Sequence, residues 1–205
     1  MRQLLTTLLL LLIPLPSQAT PIYPRTNTPS CPARPPRDGK CWKDVLGLEW
    51  SVKNFDYHAS YTFTTPAHQN SFGYVNFNLT NNLKPDIKAV CSAASSQLTD
   101  FYYGSMPYSC ELTATGKDPV PAGTAVTWTF NRPTGELAID ETVVCQEGKA
   151  TGMFYASGAK NLTLSCTDTT WTNPNWTMGA IYSDRTIKCK PVDLKIHVGK
   201  IIAEV

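Results

Sequence analysis

From Trp42 onward the dominant signal along the chain is strict alternation of apolar and polar side chains. In YHASYTFT, Tyr57, Ala59, Tyr61 and Phe63 share one face and His58, Ser60, Thr62 and Thr64 the other. That period belongs to a half-buried strand. It returns in GYVNFNLT (Gly73, Val75, Phe77 and Leu79 inward), AVTWTFN (Val126, Trp128, Phe130) and NLTLSC (Leu162, Leu164, Cys166). DLKIHVGKII places Leu194, Ile196 and Val198 on one face and predicts a single closing strand. Turn residues separate these runs at Thr65-Pro66, Asn81-Asn82, Gly116-Lys117-Asp118-Pro119, Pro133-Thr134-Gly135 and Asn173-Pro174. No long stretch keeps the helical period, and WKDVLGLEW makes at most a short helical turn. The expected fold is all-β, an antiparallel barrel or sandwich of roughly nine or ten strands.

The start of the chain has a different character. Arg2, the apolar run from Leu4 to Leu15 and the small residues of Ser17-Gln18-Ala19 read as a signal peptide over residues 1–19. The run is shorter than the ~20 residues that span a bilayer. Residues 20–41 hold Pro21, Pro24, Pro29, Pro32, Pro35 and Pro36 with few apolar side chains, which predicts an extended arm before a β domain over 42–205. The formal net charge of +2 includes Arg2 and provides no electrostatic basis for binding nucleic acid or an anionic membrane. The mature chain is expected to be secreted and extracellular.

Secretion changes the meaning of the seven cysteines. In an oxidising compartment they read as a disulfide framework, and no zinc-type spacing or cofactor motif occurs. Cys91 and Cys110 bracket one segment, and Cys145 and Cys166 each end a strand-like run, so the pairs Cys91–Cys110 and Cys145–Cys166 are expected. Cys41 pairs either with Cys189 or with Cys31, and an odd count leaves one cysteine over. Sequons at Asn78, Asn161 and Asn175 offer N-glycosylation.

Catalytic constellations are missing from the pattern. G-x-S-x-G and H-E-x-x-H do not occur, and His58, His68 and His197 are the only histidines. Asp56, Asp100, Asp140 and Glu141 are carboxylates without a defined partner. The segment CSAASSQLTDFYYGSMPYSC carries Phe101, Tyr102 and Tyr103 in succession. Alternation cannot bury all three on one face, which makes them candidate binding residues on a pinned loop. Trp171 and Trp176 flank a further turn. A protein-binding module and a carbohydrate-binding or carbohydrate-active protein using loop aromatics and carboxylates are the two classes left.

Ser30-Cys31-Pro32, Trp50, Val52 and Phe55, Cys91-Ser92-Ala93, Leu98, Asp100, Tyr108-Ser109-Cys110, Phe130 and Leu137 together resemble the major allergen family of the fungus Alternaria. The resemblance covers residues 30 to about 166 and finds no counterpart for the tail from Trp171, Cys189 included. It implies a secreted β-barrel without enzymatic activity or cofactor that acts as an effector or elicitor at a plant surface. It also implies a host defence protein of the thaumatin-like class as partner, and a covalent homodimer through Cys31.

Overall fold

The structure, a computed structural model, describes residues 39–147 and 150–204, with the backbone alone at Cys41, Glu147 and Glu204. The expected signal peptide, nearly all of the arm and Cys31 lie outside the described residues. The first element is a helix, α1 (Lys40–Leu46), which begins inside the expected arm and is closed by Gly47, whose N–H donates to Asp44 O at 3.0 Å. Val45 and, just beyond α1, Leu48 are buried.

Eleven strands follow among the described residues: β1 (Glu49–Thr65), β2 (His68–Asn81), β3 (Ile87–Ser95), β4 (Tyr108–Ala114), β5 (Ala125–Asn131), β6 (Glu136–Glu147), β7 (Ala150–Asn161), β8 (Cys166–Thr172), β9 (Ser183–Cys189), β10 (Val192–His197) and β11 (Lys200–Glu204). They form one antiparallel sheet in the order β11-β7-β6-β5-β4-β3-β2-β1-β9-β8, with β10 also on β1. The ladder does not close into a ring. The fold is all-β and disulfide-stapled, with more strands than alternation alone predicts.

β1 organises the sheet. One of its edges pairs with β2 from Trp50 to Thr65, and the other pairs first with β10 (Glu49 to Phe55) and then with β9 (His58 to Phe63). The switch falls at a bulge where Asn54 adopts φ 55°, a left-handed conformation that asparagine tolerates. Asp193 fixes the bulge: Oδ1 accepts the Asn54 N–H and Oδ2 accepts the Lys53 ammonium, both at 2.8 Å. Inward residues of β1, β2, β5 and β6 meet in an aromatic core. Phe55 lies 5.7 Å from Phe77 and 5.1 Å from Phe130 between ring centroids, and Phe77 lies 5.2 Å from Trp128. Trp50, Phe55, Trp128, Leu137 and Ile139 are fully buried.

Two expected strands are corrected. NLTLSC is not one strand: only Asn161 belongs to β7 and only Cys166 to β8, and Leu162 instead donates its N–H to Gly135 O across the end of the sheet. The closing run DLKIHVGKII breaks at Val198–Gly199 into β10 and β11, because Val198 N–H turns to Leu48 O while Gly199 N–H turns to Ser157 O. β10 therefore lies on β1 and β11 on β7, so one short segment joins both flanks of the sheet.

The bridges are Cys91–Cys110 and Cys166–Cys189. The expected pairs Cys145–Cys166 and Cys41–Cys189 are therefore corrected. β8 and β9 form a hairpin in which Cys166 stands directly opposite Cys189, with 3.8 Å between Cα atoms, so register decides the pairing. Cys145 is also disulfide-bonded.

Gly158 marks the tightest approach between the flanks. A Cβ there would stand 2.4 Å from His197 O and 2.8 Å from the Trp50 ring. Backbone on one side and a buried indole on the other leave nothing able to give way. Gly158→Ala is expected to cost about 1 to 3 kcal/mol in urea unfolding; an unchanged midpoint would show that the flanks can separate without loss.

Candidate binding surface

The end of the sheet beyond Ser95 is covered by the loop 96–107, whose two stems, β3 and β4, are clipped where Cys91 faces Cys110. Phe101 and Tyr102, expected as contact residues, point into the core instead, with exposures of 0% and 2%. Phe101 adopts φ 68°, and its ring lies over Gly73, where a Cβ would stand 2.6 Å from ring carbons. Its ring centroid is 5.0 Å from that of Tyr61, and its carbonyl accepts the Ser95 hydroxyl. Alternation fails here because a left-handed residue reverses the side-chain direction that an extended strand would impose. Tyr102 stacks on Trp128 and donates its hydroxyl to Ala93 O at 2.7 Å, with Gly73 O at 3.2 Å.

Tyr103 is the exposed member of the triplet, at 39%. Its hydroxyl oxygen accepts the N–H groups of Thr99 and Asp100 at 2.6 and 3.0 Å, so the ring is fixed by its own loop. Gly104, at φ 77°, turns the chain back and donates to Phe130 O. The loop is thus a rigid cover that leaves Leu98, Tyr103 and Met106 exposed.

The turn between β8 and β9 lies at the same end of β1. Tyr61 donates its hydroxyl to Thr99 O of the loop at 2.8 Å, and Phe63 O accepts the N–H of Tyr182 in the turn at 2.8 Å. Trp176 is half-buried against Tyr182, with its indole N–H on Ala180 O, whereas Trp171, Met178 and Ile181 are exposed. Between loop and hairpin lies a layer of arginine and tyrosine. The Arg132 guanidinium sits 5.0 Å over the Tyr57 ring, and that of Arg185 sits 5.1 Å over the Tyr61 ring while forking onto Asp168. Burial pushes the Tyr57 phenol up to about 12 and raises that of Tyr61, so both remain protonated donors at any physiological pH.

The other sequence candidates do not converge. His58 bonds Asp56 at 2.8 Å on the outer face of β1, and His68 bonds Thr64 at 2.9 Å near the hairpin tip. Asp140 is exposed on β6 and Asp100 lies in the loop. Glu141 is buried in the interior, where Oε1 accepts Asn81 Nδ2 at 2.7 Å and Oε2 accepts the Trp50 indole N–H. Among the described residues no group of three or more His, Cys, Asp or Glu side chains is arranged to hold a metal ion. Asn78, Asn161 and Asn175 are all exposed. The residues that sequence reasoning missed are Leu98 and Met106, together with Met178 and Ile181. They carry no motif, and only the loop geometry shows that they are left outside.

These features define an all-β, disulfide-stapled protein whose end is sealed by a fixed, partly apolar loop. The family model described as Alternaria alternata allergen 1 matches residues 52–189, more than half of the chain, and the protein belongs to that family. The match runs through Cys189, so the hairpin β8–β9 is part of the shared domain. No curated protein and no solved structure matches. Disulfides and family are consistent with an extracellular protein.

Two outcomes test this geometry. Tyr102→Ala is expected to cost about 3 to 5 kcal/mol of stability, whereas Tyr103→Phe, which removes the acceptor of the Thr99 and Asp100 N–H groups at the surface, should cost about 1 to 2 kcal/mol; denaturant midpoints decide, and equal losses would contradict the burial difference. For Glu141, burial raises the folded pKa above the ordinary 4.5, and the hydrogen bonds from Trp50 and Asn81 oppose the shift. The carboxyl therefore adds stability below about pH 4.5 that is lost as pH rises through the raised folded value. The stability of the natural protein relative to Glu141→Gln should fall as pH increases over that window, and a rise would reverse the assignment.

Proposed function

We propose that this protein is a secreted, non-enzymatic effector- or elicitor-type fungal protein that binds a plant defence protein of the thaumatin-like class through the loop-bearing end of its sheet. The observation that carries the reading is the pinned loop: Leu98, Tyr103 and Met106 are exposed on a segment held by a disulfide, by two buried rings and by hydrogen bonds of its own backbone. Apolar groups held rigidly in advance lose little entropy on association, and so suit recognition of a protein surface. Met178 and Ile181 extend the apolar character to the neighbouring turn. Family membership supports the fungal, allergen-type setting. The signal peptide of residues 1–19, N-glycans on Asn78, Asn161 and Asn175, and a covalent homodimer through Cys31 belong to the same reading.

Surface plasmon resonance with a purified thaumatin-like protein is the test. Leu98→Ala with Met106→Ala should weaken binding by more than ~1 kcal/mol, roughly fivefold or more in Kd, at unchanged melting temperature. Absence of binding, or affinity that ignores both substitutions, would refute the role of the loop. A dimer band on a non-reducing gel should vanish in Cys31→Ser.

A further inference from the structure

The outer face of the β8–β9–β1–β2 strip carries an ordered array of side chains that the loop-bearing end does not use. Register places Trp171, Asp184, Thr62 and Asn70 in one row across the four strands. The next row is Thr169, Thr186, Ser60 and Phe72, and the one after it Thr167, Lys188, His58 and Tyr74. Each row spans three strand spacings, about 14 Å, and successive rows lie about 7 Å apart.

Aromatic rings occupy one corner of this array, at Trp171, and the opposite edge, at Phe72 and Tyr74. Trp171 and Phe72 are 53% and 48% exposed. Phe72 lies 6.5 Å from Tyr74, and Tyr74 stacks on the His58 imidazole at 5.0 Å with an interplanar angle of 18°. Asp56 holds His58 Nδ1 at 2.8 Å, so the imidazole cannot turn away from Tyr74. Between the aromatic rings lie hydroxyls from Thr169, Thr186, Ser60 and Thr62. The charged groups in and beside the array are Asp56, which contacts His58, Asp184, which accepts the Thr62 hydroxyl at 3.0 Å, and Lys188, two rows from Asp184. These described residues form no cationic cluster for a polyanion to engage.

The concavities described lie elsewhere, beside α1 and on the β5–β7 side of the sheet. A platform of exposed rings separated by hydroxyls matches an extended chain whose sugar rings offer C–H faces to aromatics and hydroxyls to the residues between them. None of the described concavities opens on this face to take a bulky substituent such as an acetamido group. We infer that this face binds a neutral β-linked glucan chain lying across β8, β9, β1 and β2, with Trp171 and Phe72 as stacking platforms and His58–Tyr74 as a pinned flank. This surface is independent of the loop-bearing end, so either reading can fail without the other.

The test is depletion of the purified full chain onto microcrystalline cellulose, with chitin beads as a parallel arm and at two salt concentrations. The natural protein should be depleted by cellulose but not by chitin, to the same extent at either salt. Phe72→Ala and Trp171→Ala should each weaken depletion roughly tenfold at unchanged melting temperature, and Tyr103→Ala should leave it unchanged. No depletion by cellulose, preference for chitin, loss of binding in salt, or indifference to both aromatic substitutions would each overturn the inference. A drop in melting temperature in Phe72→Ala or Trp171→Ala would transfer the decision to Trp171→Phe, which preserves an aromatic face and should restore depletion.

Discussion

Everything in this fold depends on the two edges of β1. A strand of seventeen residues exposes a long row of backbone donors and acceptors, and burying its inner face requires both rows to be satisfied. β2 satisfies one edge over most of its length. No single partner spans the other; β10 and β9 share it in turn, separated by the bulge at Asn54. That division sets the positions of the hairpin β8–β9 at one end of β1 and of the link to β11 and β7 at the other. The layer between loop and hairpin and the outer array are both consequences of how β1 is shared.

The loop 96–107 behaves as core that connects two strands. Its rings fill the sheet end, and its backbone is anchored to Ser95, Phe130 and Arg132. What remains outside is the remainder after packing: Leu98, Tyr103 and Met106. An exposed surface of this kind inherits its rigidity from the core below. Substitutions at Phe101 or Tyr102 would therefore disturb it only through the fold, whereas those at Leu98 or Met106 would change the surface alone.

Much of this was legible in the residues. Tyr57, Ala59 and Tyr61, Val75, Phe77 and Leu79, and Val126, Trp128 and Phe130 all take the inward places that alternation assigned. Their strands are half-buried, so the period is a direct record of the environment. The pair Cys91–Cys110 was legible because the two cysteines bracket one segment. The hairpin β8–β9 was not, since every residue of β8 after Cys166 is exposed and no alternation survives; Cys166 and Cys189 meet through register set by β1. The aromatic triplet misled for a conformational reason, because alternation presumes extended backbone and Phe101 is left-handed. The break at Gly199 hid inside an unbroken apolar period, with the competing hydrogen bonds to Leu48 O and Ser157 O visible only in three dimensions.

The placement of β9, β10 and β11 also dictates when the molecule can fold. The ribosome delivers β1 first and its second-edge partners only after β2 to β8, about 120 residues later. During that interval one edge of the longest strand stands open, with Trp50 and Phe55 on an unfinished face. Such an edge is a template for pairing between nascent chains. Premature termination between β2 and β9 would release a chain with the first hairpin made and its flank uncovered.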